Sequence, residues 1–271
     1  MNTNTSSLAA LASLRTINNN LSVAQKQLQT GYRVADAYDD ASTFSVAQGL
    51  RGELQAYAAV QASLANGVGL GSVTQGALTG ISDLVGNLEA KVTQLADGGI
   101  SAGQRAIYTV DYNALTSQIS NFIAQANYNG TNVLSAGSAS KTFLADASAS
   151  TLTISSQSSV SAAFSTFATS SVASASEATL ALTSLETFAT SVASSLGANA
   201  SESRTLTLQS NFTNSITDAI TIGVGALVDA DIGKASAAVQ ALQVRQQLAI
   251  QSLAIANQQP SRLLGLFPTI H

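Results

Sequence analysis

Apolar residues recur along the first stretch of the chain in alternating steps of four and three. These positions are Ala10, Leu14, Ile17, Leu21, Ala24 and Leu28. The spacing is typical of a coiled-coil seam, because an apolar repeat of about 3.5 residues stays on one side of a helix. Gly31 stands where a helix C-cap is expected. The pattern therefore predicts a helix from about Ser6 to Thr30, which would be only marginally stable by itself.

The same stagger returns near the other end of the chain. Its positions are Ile232, Ala235, Val239, Leu242, Ala249, Leu253 and Ala256, with Gln246 as the one polar interruption. A second apolar stripe, formed by Val244, Leu248 and Ile255, flanks it. A helix with two apolar faces contacts partners on both sides. Two interpretations follow: a terminal helix of a helical bundle, or two chain ends that pair with each other and then pack into neighbouring molecules.

The interior is predicted to be mostly helical. We predict helices over Thr43–Ala96 and Gln104–Asn127, a helix over Glu177–Leu196 closed by Gly197, and a last helix from Ala200 toward Asn257. Residues 138–176 are rich in Ser, Ala and Thr. Within them, Lys141–Ala145 and Thr151–Ser155 have β character and predict a hairpin at about 140–155, whereas the part through Phe164 and Phe167 is predicted as loop or loose helix. The fold class is thus mainly α: an elongated helical rod with paired termini and a small β-hairpin near the distal end.

Glycines interrupt the first long helix at an unusual density. They include Gly67, Gly69, Gly71, Gly76 and Gly80. Each costs roughly 1 kcal/mol relative to Ala in a helix interior. We therefore expect them where tertiary or intermolecular contacts need helices to approach closely.

Composition excludes several classes of function. Only 10% of the 271 residues are charged, against roughly 25% in an ordinary globular protein, so we expect much of the surface to be covered in the working state. The chain has no Cys, and its one His is the last residue, His271. These counts argue against an enzyme and against a metal or other cofactor. A net charge of -4 argues against nucleic-acid binding, and no apolar stretch approaches the ~20 residues of a membrane span.

One cluster of charged residues has two interpretations. Arg33, Asp36, Asp39 and Asp40 provide carboxylates for a cation or for acid–base chemistry. The alternative is a loop with a helix N-cap. Without an internal His, we favour the cap. The triplet of glycines at 67, 69 and 71 lacks the Lys-Ser/Thr of a phosphate loop, so close helix packing is the better interpretation.

Several motifs together resemble bacterial flagellin. They are QTGYRVADAYDDAS at 29–42, NGVGLGSVTQGAL at 66–78, YNGTNVL at 128–134, SLAIANQ at 252–258 and LLGLF at 263–267. The tail is most similar to the short alphaproteobacterial type, and the large outer variable domains of longer flagellins are missing. The residues 268–271 after the last motif depart from the family pattern.

The resemblance implies a structural subunit that is exported unfolded and polymerises into an extracellular filament for motility. Residues 1–37 and 229–271 would form the filament-core coiled coil, and 38–228 the helical middle domain. Implied partners are other copies of the chain, an export chaperone and the flagellar export apparatus, and the filament cap and hook-junction proteins. A hook–filament junction protein, or a glycan-binding adhesive protein on the same fold, are the alternatives.

The resemblance also assigns residues to these contacts. Filament-core assembly would use Leu14, Ile17, Leu21, Leu28, Val239, Leu242, Leu253, Leu264 and Phe267. A middle-domain contact loop would use Arg33, Asp36, Asp39 and Asp40. Chaperone binding would use Leu242, Leu248, Leu253 and Leu263.

Overall fold

The computed structural model describes residues 4–264, and side chains as far as residue 258. The described chain is mainly α-helical. Its elements are α1 (Thr5–Thr30), α2 (Ala41–Ala96), α3 (Ala102–Gln125), β1 (Lys141–Leu144), β2 (Thr151–Ile154), α4 (Ser158–Ala168), α5 (Ala175–Val228) and α6 (Ile232–Leu264). The chain divides into two compact units. The first contains the N-terminal 54 residues and everything from Ala219 onward, and the second contains Gln55–Asp218.

The first unit is built around the antiparallel pair of α1 and α6. Helix α1 begins after Asn4, whose side chain accepts a hydrogen bond from the Ser7 N–H, and ends at Gly31 in a left-handed conformation with φ 75°. The predicted helix and its glycine cap are confirmed. A separate small cluster in this unit buries Val34 and Ala47 against Val224 and Val228.

The two connections next to this pair are joined by backbone hydrogen bonds. The Arg33 and Val34 N–H groups both donate to the Val228 carbonyl, and the Ala230 N–H donates to the Gly31 carbonyl at 2.9 Å. Tyr32 and Asp229 thereby form an antiparallel bridge. These bonds satisfy carbonyl groups at the ends of α1 and α5, which helix ends otherwise leave without partners.

The second unit packs parts of α2 and α5 with α3 and α4 around one apolar core. Phe167 and Phe188 are fully buried and stack with ring centroids 6.4 Å apart, while Tyr112 meets Phe167 edge-on at 5.8 Å. Helix α3 starts with a capping box in which Ser101 and Gln104 bond each other's backbone. A smaller cluster forms around Leu64, Leu70, Ile154 and Leu206.

The hairpin prediction is confirmed, with β1 and β2 antiparallel and Phe143 opposite Leu152. Side chains of both long helices bond its backbone. Ser63 of α2 accepts from the Leu144 N–H at 2.8 Å, and Gln209 of α5 donates to the Ala145 carbonyl at 2.7 Å. The Glu202 carboxylate takes both the N–H and the hydroxyl of Ser155. The hairpin is therefore held by polar contacts as well as by its apolar face.

Glycines of α2 do allow close approach in this unit. A Cβ on Gly69 would lie 2.5 Å from the Tyr128 ring, and one on Gly80 would lie 2.9 Å from the Phe122 ring. Around Gly76 nothing lies within 4 Å of such an atom. Close packing thus explains Gly69 and Gly80, whereas it does not explain Gly76.

Two helix predictions were wrong. Gly197 does not close a helix, because α5 runs without a break from Ala175 to Val228. The predicted last helix instead breaks at residues 229–231, where the backbone pairs with the segment after α1. The segment left as loop or loose helix contains α4, whose Val160, Phe164 and Phe167 are buried.

Candidate assembly interface

The coiled-coil seam predicted from spacing is the surface by which α1 and α6 pack together. Leu21 and Ala24 of α1 and Ala235 and Ala256 of α6 are buried. The neighbouring stripe positions Leu14, Ile17, Val239, Leu242 and Leu253 are half-buried. A stripe buried against one intramolecular partner, with several members still partly open, leaves apolar area for a further partner.

Polar contacts fix the register of the pair over its length. The Asn4 side chain donates to the Ala256 carbonyl at 2.8 Å, and Ser7 donates to the Asn257 side chain at 2.7 Å. Near the middle, Gln246 donates to Asn18 at 2.7 Å. The one polar interruption of the α6 stripe is therefore a cross-helix hydrogen bond. It adds to the bonds of Asn4 and Ser7 in setting the alignment of the two helices.

A second set of apolar side chains on these helices points to solvent. On α6 the flanking stripe is exposed by 57% at Val244, 56% at Leu248 and 65% at Ile255. On α1, Leu8 and Val23 are each more than half exposed. The described part of the chain thus leaves an apolar row on α6 and single apolar side chains on α1 without cover, as expected of an assembly surface.

The residues predicted for assembly and chaperone contacts fall into four groups. Leu21 is buried and Leu14, Ile17, Val239, Leu242 and Leu253 are half-buried, whereas Leu28 and Leu248 are exposed. Leu263 and Leu264 lie in the last turns of α6, where only the backbone is described. Phe267 and the extension at 268–271 lie outside the described residues.

The predicted contact loop is the turn between α1 and α2. Asp40 is the N-terminal cap of α2: its carboxylate accepts from the Ser42 and Thr43 N–H groups at 3.1 Å and from the Thr43 hydroxyl at 2.6 Å. The hydroxyl bond, with the backbone bonds, lowers the pKa of the Asp40 carboxyl. The favoured interpretation of this residue as a helix cap agrees with its geometry.

Asp36 and Asp39 are held together by a lysine that the sequence reading did not single out. Lys26 Nζ lies 2.7 Å from an oxygen of each carboxylate. The hydrogen bonds from Lys26 lower the pKa of both carboxyls, and the same bonds raise the pKa of Lys26. Asp39 also accepts from the Ala35 N–H at 2.9 Å. A cation already supplied by the chain explains why these carboxylates can lie together.

Arg33 points away from this carboxylate pair. Its guanidinium donates to the Leu227 carbonyl at the end of α5. Arg33, Asp36, Asp39 and Asp40 therefore share one turn but perform three separate tasks, which are binding the end of α5, bonding Lys26 and capping α2. Among the described residues, no group of three or more His, Cys, Asp or Glu side chains is placed to hold a metal ion.

Sequence reasoning also passed over Tyr38. This residue lies at the tip of the same turn and is 99% exposed. A signal for Lys26 was available, because a helix that ends at a left-handed Gly31 and turns back brings its last turns beside the residues that follow.

Comparisons with known proteins agree with this arrangement. Residues 1–139 match the family model of the bacterial flagellin N-terminal helical region, and residues 179–267 match that of the C-terminal helical region. The chain belongs to the bacterial flagellin family. It is 31% identical to flagellin FljN of Caulobacter vibrioides over 267 residues, covering 98% of each chain. It is 32% identical to the flagellin of Brucella melitensis over 280 aligned positions, again covering 98% of each chain.

A solved structure supports the fold of this flagellin. The crystal structure of Bacillus cereus flagellin superimposes with a TM-score of 0.50 at 21% sequence identity, covering 56% of this chain and 88% of the other. Within residues 4–264, no helix combines the length and apolarity needed to cross a bilayer.

Family membership establishes the general function. Flagellins are structural proteins and not enzymes, and they polymerise with their own kind into the extracellular filament of the bacterial flagellum. The relatives confirm the expected short alphaproteobacterial type. They favour the filament subunit over the junction-protein and adhesive-protein alternatives.

Proposed function

We propose that this flagellin assembles by burying the exposed apolar side chains of the α1–α6 pair against neighbouring copies. The observation that carries the proposal is the second stripe on α6, whose Val244, Leu248 and Ile255 are more than half exposed on a helix that already packs on α1. Each fully buried Leu or Ile contributes roughly 1.5–3 kcal/mol. Only in the polymer are these side chains buried, and the free energy of that burial then offsets the conformational entropy that the helices lose when they become ordered.

In this proposal, residues 1–37 and 229–271 form the innermost layer of the filament, and residues 38–228 form the middle layer. The turn containing Arg33, Asp36, Asp39 and Asp40 contacts a neighbouring subunit. What supports a contact at this turn is its fixed conformation, since Lys26 bonds two of the carboxylates and Asp40 caps α2.

Delivery of the subunit is the other half of the proposal. The chain leaves the cell unfolded through the flagellar export apparatus, and it folds at the distal end under the filament cap, on a filament begun by the hook-junction proteins. An export chaperone covers α6 before export, using Leu242, Leu248, Leu253 and Leu263. Its support is the exposed row that Leu248 forms with Val244 and Ile255, since contiguous apolar surface needs cover in a monomer.

Seeded polymerisation tests the assembly proposal. Purified monomer is added to short filament fragments and followed by pelleting and electron microscopy. Leu21→Asp and Leu253→Asp each place a carboxylate in the α1–α6 contact, where burying a charge is costly, and we expect both to abolish elongation while the middle domain keeps its helical signal. Gln243→Asp introduces the same carboxylate at an exposed position of α6 and is expected to elongate normally.

The outcomes separate two failures. Wild-type chains that do not elongate on seeds would contradict the subunit function itself. Wild-type elongation together with normal filaments from Leu21→Asp would leave the subunit function standing and refute an apolar α1–α6 contact as its basis.

A further inference from the structure

Tyr38 is the most exposed large apolar side chain among the described residues, with 99% of its surface open to solvent. It stands at the tip of the turn between α1 and α2. Tyrosine side chains are enriched at the energetically dominant positions of protein interfaces, because the ring buries a large area with few rotatable bonds. A tyrosine presented in this way by a self-assembling protein is a candidate anchor.

The turn that presents Tyr38 is held by a network of hydrogen bonds. The Asp36 side chain accepts from the Tyr38 N–H at 2.9 Å, and the Asp39 side chain accepts from the Ala35 N–H at 2.9 Å. Lys26 then bonds both carboxylates. Because the backbone is already fixed before any contact forms, little conformational entropy remains to be lost on binding.

A groove in the same unit offers a complementary site. It has a volume of about 400 Å³. Its lining residues are Gln27, Arg33, Asp229, Ala230, Asp231, Lys234, Ala235 and Ala238. Three alanines provide an apolar wall, and two cations and two carboxylates stand around it. A phenol ring suits such a site, since its face attracts cations and its hydroxyl donates to a carboxylate.

The tyrosine and the groove lie on different sides of α1. Lys26 faces the turn that carries Tyr38, whereas the next residue, Gln27, lines the groove. Successive residues of an α-helix point about 100° apart. A protruding side chain on one side and a groove on another form a heterologous contact, which builds a helical polymer when the rotation between copies does not close a ring.

We propose that Tyr38 of one subunit inserts into the groove of a neighbouring copy between the end of α1 and the start of α6. The inference rests on the proposed function, because it assumes that the neighbour is another copy in the polymer. It adds the residue that anchors the contact turn and the site that receives it. Tyr38→Ala is expected to raise the critical monomer concentration about tenfold or more. Tyr38→Phe, which keeps the ring, is expected to change it much less.

Burial of Tyr38 is measured with a fluorescent replacement. The chain contains no Trp, so Tyr38→Trp introduces the only indole. In monomers we expect emission typical of a solvent-exposed indole and strong quenching by iodide. In filaments the emission should shift to shorter wavelength and the quenching should fall. Filaments in which the indole remains fully quenchable would overturn the proposal.

The receiving site is identified by disulfide cross-linking, because the chain contains no Cys. Tyr38→Cys chains are mixed with Ala238→Cys chains, co-assembled with excess wild-type protein, oxidised and separated without reducing agent. We expect dimers that contain one chain of each kind. Tyr38→Cys paired with Gln48→Cys, an exposed residue outside the groove, is the matched control.

Each outcome decides a different point. Dimers only from the Tyr38→Cys and Ala238→Cys pair support the groove. Dimers from none of the pairs, or equally from all of them, overturn it while leaving polymerisation intact. Failure of the wild-type protein to polymerise would instead refute the function on which the inference rests.

Discussion

Replacement of Gly71 by Ala tests whether glycines allow α2 and α5 to approach closely in the second unit. A methyl group there would meet the Ser203 hydroxyl oxygen and lie 3.3 Å from the Ser203 Cβ. The Gly71 carbonyl also accepts a hydrogen bond from Asn199 of α5 at 2.9 Å, which limits how far the helices can separate. We therefore expect a steric cost at this site.

The magnitude follows from two opposing effects. Replacing a helical Gly by Ala gains about 1 kcal/mol of helix propensity. Inserting a methyl into a packed contact costs about 1–3 kcal/mol. Gly76→Ala, in the same helix, has nothing within 4 Å of the new atom and serves as the control. Gly76→Ala should stabilise the second unit by about 1 kcal/mol, and Gly71→Ala should be about 1–3 kcal/mol less stable than Gly76→Ala.

Ser203→Ala completes a double-mutant cycle. The Ser203 hydroxyl oxygen is buried and has no hydrogen-bond partner among the residues that the structure describes, so its removal breaks no bond there. When the Ser203 hydroxyl is absent, Gly71→Ala should be less destabilising than in the wild-type chain. We expect a coupling energy between the two substitutions of about 1 kcal/mol or more. The assay is urea unfolding of the monomer, followed by helical circular dichroism. Equal stabilisation by Gly71→Ala and Gly76→Ala, or no coupling with Ser203→Ala, would refute the close approach.

Two other predictions concern the core and the turn. Phe167→Ala removes a fully buried ring from the second unit and should cost about 3–5 kcal/mol in the free energy of unfolding, measured by urea titration. Lys26→Met removes the hydrogen bonds that depress the carboxyl pKa values of Asp36 and Asp39, so both should rise toward 3.8 in carboxyl NMR titrations. Because these values are depressed, their stabilising effect is present above pH 3.8 and lost below it. The pKa of Lys26 is raised, so the stability that its charge contributes is present below pH 10.5 and is lost as the pH rises above that value.

Each of these two has a matched control. Phe212 is 59% exposed, and Phe212→Ala should change the free energy of unfolding by no more than about 0.5 kcal/mol. A cost as large as that of Phe167→Ala would show that burial does not set the penalty. The pKa of Asp146 is lowered by Ser150 rather than by a lysine, so it should not respond to Lys26→Met. Unchanged values at Asp36 and Asp39 would contradict the role of Lys26.

Patterns confined to one element gave reliable predictions. The alternating steps of α1 and the glycine after Thr30 predicted a helix and its end, because the seam and a left-handed cap are local properties. The hairpin was predicted from strand propensity around a turn. Val160, Phe164 and Phe167 have helical spacing too, and this signal for α4 was overlooked in a segment dominated by Ser, Ala and Thr.

Predictions that depended on distant partners failed. Gly197 was taken as a helix end, yet a glycine ends a helix only where the chain turns into a left-handed conformation, and here α5 continues through it. The real break after Val228 is stabilised by hydrogen bonds to residues 31–34, almost two hundred positions earlier. The ion pairs of Lys26 were missed for the same reason, because Asp36 and Asp39 lie on the other side of a turn. The sequence shows that these residues are available, but it does not show which residues far apart in the chain lie close together in the fold.

The pairing of α1 with α6 makes each of these helices depend on a partner at the other end of the sequence. Asn4 donates a hydrogen bond to the carbonyl of a residue 252 positions away. The apolar stripe of α1 can therefore be buried only when α6 is present. A chain cut short anywhere before Ile232 lacks that partner entirely and keeps its N-terminal stripe open. The order of the N-terminal helix is therefore coupled to the opposite end of the chain, and a change in either helix is expected to be felt by both.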